Sequence, residues 1–148
     1  ASGNPAAAEK ILSGALQRKP MEPTLLLELA DIKRSGGKTT EARELYKQII
    51  ALGDTRGGSS FQQAHLPLAR LHLGSKQYKA ALETLSAYIS RVKSGKDLPE
   101  AYFLRSYVHS VEDRDTEALK DLRKVLELDP DGEYGTRADY IIDLVKQE

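Results

Sequence analysis

The sequence predicts an all-α fold, a stack of antiparallel helical hairpins. Three observations predict it. First, four stretches open on an alanine (Ala8, Ala42, Ala81 and Ala118), and apolar residues follow each at +3/+4 and +7/+8. That spacing places side chains on one face of a helix. The sets are Ile11, Leu12, Ala15 and Leu16; Leu45, Tyr46, Ile49 and Ile50; Leu85, Tyr88 and Ile89; and Leu122, Val125 and Leu126. Second, the alanines recur 34, 39 and 37 residues apart, a period typical of repeat architectures. Third, no stretch shows the strict alternation of a half-buried strand.

Breakers divide the chain into eight predicted helices, over 5–17, 24–35, 39–52, 60–74, 78–92, 98–111, 115–128 and 135–147. Pro20 closes the first, and Pro23 suits the first turn of the second. Gly36-Gly37 ends the second, because glycine takes the left-handed cap conformation at little cost. The run Gly53 to Ser60 reads as the most flexible connection, and Ser60 with Gln63 as a capping box opening the fourth helix. Pro67 then falls inside that helix and predicts a kink near Gln63 to Pro67. Asp97-Leu98-Pro99-Glu100 is a second capping box. Pro130 with Gly132 and Gly135 stops the seventh helix and leads into the eighth, and Lys146-Gln147-Glu148 is a polar end.

A chain of 148 residues suits one domain over 1–148. Lys+Arg and Asp+Glu are both 22, so the net charge is zero. That balance argues against a non-specific nucleic-acid or anionic-membrane surface, which needs clustered positive charge. The chain contains no cysteine, which removes disulfides, thiolate nucleophiles and cysteine-ligated zinc and leaves the compartment, cytoplasmic or periplasmic, open. No apolar run approaches the roughly 18 residues of a membrane span. The start Ala1-Ser2-Gly3, without Met, reads as a processed or excised chain.

Counting back 12 residues from the last three ladder alanines gives Ala30, Ala69 and Ser106, all small. Counting back 13 gives Leu29, Leu68 and Arg105. Small residues thus recur where two helices approach closely, and Pro20 and Pro130 each lie 12 residues beyond a ladder alanine. With Tyr46, Leu85 and Leu122 one turn later, and the run Tyr78-Lys79-Ala80-Ala81-Leu82, this pattern resembles the tetratricopeptide repeat, a helix-turn-helix unit of about 34 residues. The resemblance covers nearly the whole chain: a second helix over 5–20, repeats over 23–56, 61–95 and 99–132, and a capping helix over 135–147. The chain departs from the pattern in having no Trp, in placing Arg105 at an apolar position, and in two inter-repeat connections longer by 5 and 3 residues.

The resemblance implies a right-handed α-α superhelix whose first helices line a concave groove. It implies a scaffold that binds a protein or peptide segment there, as part of a larger protein, rather than an enzyme. Groove positions fall on Leu27 and Asp31, Leu66 and Arg70, and Phe103 and Tyr107, with Tyr140 nearest the matching place in the last helix. Some members hold a chaperone C-terminal carboxylate with a Lys/Asn/Arg clamp at such positions. Here only Arg70 suits a clamp, and Asp31 would repel the carboxylate. The remaining Leu27–Leu66–Phe103–Tyr140 stripe suits a peptide with apolar anchors, each worth about 1.5–3 kcal/mol when buried; after association costs, affinity falls near the micromolar range. The alternative reading packs these residues between repeats.

Other readings carry less. The first helix has Ile11, Leu12 and Leu16 with no preceding helix to cover them, which predicts self-association. By family analogy, that self-association fits a structural subunit of a bacterial envelope or secretion assembly. His65, His72 and His109 are the candidates for a metal, but their register is that of core residues, so no metal or cofactor is expected. Gly57-Gly58-Ser59-Ser60 lacks the Lys of a phosphate loop.

Overall fold

The computed structural model describes residues 3–147; Ala1, Ser2 and Glu148 lie outside them. Among these residues there are eight helices and no strand. The chain divides into two compact units, residues 1–75 and 76–148.

The first unit contains α1 (Pro5–Arg18), α2 (Pro23–Ser35), α3 (Thr39–Ala51) and α4 (Gly53–Gly74). Asn4 caps α1: its side-chain oxygen accepts from the amides of Ala6 at 3.1 Å and Ala7 at 3.4 Å, satisfying donors that a helix start leaves open. Pro23 stands in the first turn of α2. The α2–α3 turn is a Schellman motif. Gly37 takes φ 77°, its N–H donates to the Arg34 carbonyl at 3.1 Å, and the Lys38 N–H donates to the Lys33 carbonyl at 2.9 Å. Joined by so short a turn, α2 and α3 pack as an antiparallel hairpin, with α1 against α2 and α4 against both. The core is Leu26, Ala30, Ala42, Tyr46, Ile49, Ala64 and Leu68, with Leu16, Leu27 and Leu45 packed on it. The small Ala30 and Ala42 are fully buried, as expected where two helices approach.

Two expectations about α4 are corrected. Ser60 does not cap it. α4 is two helices joined across a kink at Gly58, a short one from Gly53 and a longer one reaching Gly74, so the longer one begins close to the predicted residue 60, with Ser60 buried in its first turn rather than at its cap. Nor is the break at Pro67. The one non-helical position inside α4 is Gly58, at φ 53° and ψ −139°. Glycine adopts that conformation at little steric cost. The preceding Gly57 is also needed, because a Cβ there would lie 2.7 Å from Phe61 Cβ. The first length excess over the 34-residue repeat is thus absorbed by an added helical turn, and the second by the loop 92–97, where Gly95 takes φ 145°.

The second unit contains α5 (Tyr78–Arg91), α6 (Leu98–Val111), α7 (Asp115–Leu128) and α8 (Glu133–Lys146). Asp97 occupies the N-cap position of α6 without a side-chain capping bond, so the Asp97 half of the expected capping box is absent. The α6–α7 turn repeats the Schellman motif with a non-glycine residue. Asp113 takes φ 56°, its N–H donates to the Ser110 carbonyl at 3.1 Å, and the Arg114 N–H donates to the His109 carbonyl at 2.8 Å. α6 packs on α5, α7 and α8, and α7 also packs on α8. Leu122, Val125, Ala138 and Ile142 form a core beneath Tyr102, Phe103, Leu119, Leu126, Tyr134 and Ile141. Gly132 and Gly135 permit the tight entry to α8: a Cβ on Gly135 would fall 1.7 Å from the Asp129 carbonyl oxygen.

Candidate functional site

In the first unit, Leu27 is half-buried and packs on the core. Asp31, one turn further along α2, is held by a network. The Tyr46 hydroxyl donates to its Oδ1 at 2.5 Å, Arg34 Nε donates to the Tyr46 oxygen at 3.1 Å, and Arg34 Nη2 lies 3.7 Å from Asp31 Oδ1. Burial and the Asp31 carboxylate push the Tyr46 phenol well above its ordinary range, so it remains a donor. Leu66 is buried at 5% exposure, whereas Arg70 is exposed.

In the second unit, Phe103 is half-buried, its ring 5.4 Å from that of Tyr134. Tyr107 is half exposed and meets the Tyr78 ring edge-on at 6.4 Å; its hydrogen bond with Tyr78 raises its phenol. Tyr140 is two-thirds exposed, with Leu144 and Val145 also exposed on α8. The second unit therefore offers aromatic surface, while the first offers a positioned carboxylate.

The position where Arg105 replaces an apolar residue holds an ion pair that sequence reading missed. Arg105 Nε and Nη2 donate to Asp121 Oδ2 and Oδ1, both at 2.7 Å, and Nη1 lies 3.4 Å from Ser86 Oγ. The Asp121 side chain is 5% exposed and that of Arg105 20%. The available signal was the coincidence of Arg105 with Asp121, three residues after the ladder alanine on the facing helix. A second network ties α1 to its neighbours: Lys33 Nζ lies 2.6 Å from Glu9 and 2.5 Å from Glu41, and Lys38 reaches Glu9 at 3.1 Å.

All three histidines are buried. His65 Nδ1 donates to the Phe61 carbonyl at 2.6 Å. His109 Nε2 lies 3.7 Å from Asp121 Oδ2, and burial, with the nearby Arg114, lowers its pKa below the ordinary histidine value. Among the described residues, no group of three or more His, Asp or Glu could hold a metal ion. No helix among them is long and apolar enough to cross a membrane.

Two tetratricopeptide repeat family models match the chain, over residues 1–58 and 66–133. Among solved structures, the chain is similar to MamA, with 20% identity over 86% of this chain and 70% of that one and a TM-score of 0.73. A MamA fragment from Desulfovibrio magneticus RS-1 gives 18% identity, 98% and 85% coverage and a TM-score of 0.75. A tetratricopeptide repeat protein from Parabacteroides merdae ATCC 43184 gives 21% identity over 95% of this chain and 53% of that one, with a TM-score of 0.78. At these identities the likeness shows the fold alone. No curated protein matches the chain by sequence. The recurring ladder, the buried small residues at their fixed offsets and the two model matches together place this chain in the tetratricopeptide repeat family, whose helical-repeat fold is an interaction scaffold rather than an enzyme framework.

Proposed function

We propose that the chain binds a peptide segment of a partner protein through the residues at its groove register: Leu27, Asp31, Leu66 and Arg70 in the first unit, and Phe103, Tyr107 and Tyr140 in the second. The observation that carries this reading is the exposure of aromatic rings on the second unit. Tyr107 is 50% and Tyr140 67% exposed, and large aromatic side chains on the surface are the anchors that binding sites favour. Leu66 is buried and Leu27 half-buried, so Asp31, Arg70 and the tyrosines make the outer contacts. The test is selection of a random linear peptide library against the whole chain and against a Tyr107→Ala, Tyr140→Ala variant with matched helicity. Enrichment of a consensus by the native chain, lost with the variant, supports the reading. No consensus, or one retained by the variant, refutes it.

A second reading, self-association through α1, is favoured by one observation: α1 has no buried residue and Ile11 is 71% exposed. Leu16 packs on the core, so Ile11 is the residue to charge. Ile11→Glu should abolish any concentration-dependent increase in sedimentation coefficient.

A further inference from the structure

We infer that the first unit carries a cation-recognising subsite at Asp31, which selects an arginine or lysine side chain of a bound peptide. The inference rests on the peptide-binding reading above and adds a chemistry to it. Where α1 begins and α2 ends, a cavity of about 400 Å³ is lined by Asn4, Pro5, Ala8, Asp31, Ile32 and Ser35, together with two glycines. That volume is in the range of small-ligand sites, roughly 300–1,000 Å³. Asp31 is the one ionisable residue in the lining.

The carboxylate is both fixed and available. Its Oδ1 is anchored by the hydroxyl of fully buried Tyr46. Its Oδ2 has no hydrogen-bond partner among the described residues, and the side chain is 47% exposed. Arg34 neutralises it only in part, since Arg34 Nε is committed to the Tyr46 oxygen and Nη2 stays 3.7 Å away. The C-terminal turn of α2 adds the negative end of the helix dipole, which favours a cation. The start of α1 brings a positive dipole end to the same cavity, but Asn4 already occupies its first free amides, so the full charge of Asp31 decides the sign: an anionic side chain would be repelled by it, and an apolar one would bury the carboxylate without a partner. Lysine and arginine satisfy both parts of the cavity, laying an aliphatic stem on Pro5, Ala8 and Ile32 and presenting N–H donors to Oδ2.

The experiment is an amide-resolved NMR titration of the ¹⁵N-labelled chain with acetyl-Ala-Leu-Arg-Leu-Ala-amide, and with the same peptide carrying Glu or norleucine in place of Arg. The expected result is saturable shifts at Ala8, Asp31, Ile32 and Ser35 with the Arg peptide, at least ten-fold weaker with either replacement. Asp31→Asn, which can still accept the Tyr46 hydroxyl, should weaken the Arg peptide at least five-fold. Ser35→Lys, a surface change that supplies the chain's own cation, should do the same with the fold intact. Equal shifts with the Arg and Glu peptides, or no shift at these amides, would overturn the subsite. If peptides from the library selection bind the native chain and Asp31→Asn equally, the subsite fails while the peptide-binding reading stands. If the library yields no consensus, that reading fails with it.

Discussion

Replacing the Arg105–Asp121 pair by leucine should cost far less than removing either partner alone. The two nitrogens meet the two carboxylate oxygens at 2.7 Å in a fork, and the Asp121 side chain is 5% exposed. Breaking a buried pair from one side leaves an uncompensated charge and costs about 3–5 kcal/mol. Asp121→Leu belongs near the lower end, about 3 kcal/mol, because Arg105 keeps 20% exposure and can still reach Ser86 and the Tyr102 ring face, 5.4 Å away. Arg105→Leu belongs higher, about 4 kcal/mol, because the carboxylate left behind is nearly inaccessible to water and keeps only His109 Nε2, 3.7 Å away, which must first be protonated to pair with it. The double change restores the apolar chemistry that the first repeat carries at the same offsets, Leu29 and Leu45. It should leave stability within about 1 kcal/mol of the native chain or raise it. Urea unfolding of the four proteins, followed by circular dichroism, measures the cycle. A coupling of at least about 3 kcal/mol is expected. Destabilisation of the double variant by the sum of the singles, about 7 kcal/mol, would show that the pair contributes something leucines cannot. A cost under about 1 kcal/mol for Asp121→Leu would show that Arg105 is solvated in its absence.

Three further outcomes follow from local geometry. His109 has a folded-state pKa below its unfolded value of 6.5, so the unfolded chain binds the proton first. Its contribution to stability is complete above about pH 6.5 and declines as pH falls from there toward the folded value; urea midpoints of His109→Gln should show a shallower decline over that window. The left-handed position five residues before each of the last three ladder alanines is Gly37, Lys76 and Asp113. Lys76→Gly should therefore stabilise by about 0.5–1 kcal/mol and Gly37→Ala should destabilise by about 1 kcal/mol, read as shifts in thermal midpoint. Gly135→Ala forces a Cβ to within 1.7 Å of a backbone oxygen, which cannot swing aside as a side chain would. It should cost about 2–3 kcal/mol, and a thermal midpoint within 1–2 °C of native would refute the close approach.

Much of the architecture was legible in the chain because its causes are local. Apolar spacing, Pro23 and Gly37 set helix extents that depend only on near neighbours. The offset of 12 between Ala30 and Ala42, Ala69 and Ala81, and Ser106 and Ala118 marked the close approaches, and all six residues are buried. Asn4, standing before Pro5, was a readable N-cap that sequence reading passed over. The kink in the fourth helix was assigned to the wrong breaker because two competed, the Gly57-Gly58 pair and Pro67. A proline already embedded in helical dihedrals costs a fixed hydrogen bond wherever the chain bends, whereas a glycine at positive φ supplies the bend cheaply, so the break fell on Gly58.

The sequence by itself determined the all-α class and the repeat period, which follow from spacing along one chain, and through them the family, whose resemblance supplied the proposed groove residues. Only the tertiary structure decided which of those residues have surface to offer. Leu66 is covered and Leu27 half-covered, Tyr107 and Tyr140 are not, and Asp31 is pinned by a tyrosine 15 residues away. Likewise the Arg105 that looked like a defect in the pattern became half of an ion pair once α7 brought Asp121 against it. Exposure and pairing depend on which elements pack together, and helical periodicity constrains the face a residue occupies without saying what, if anything, lies against it.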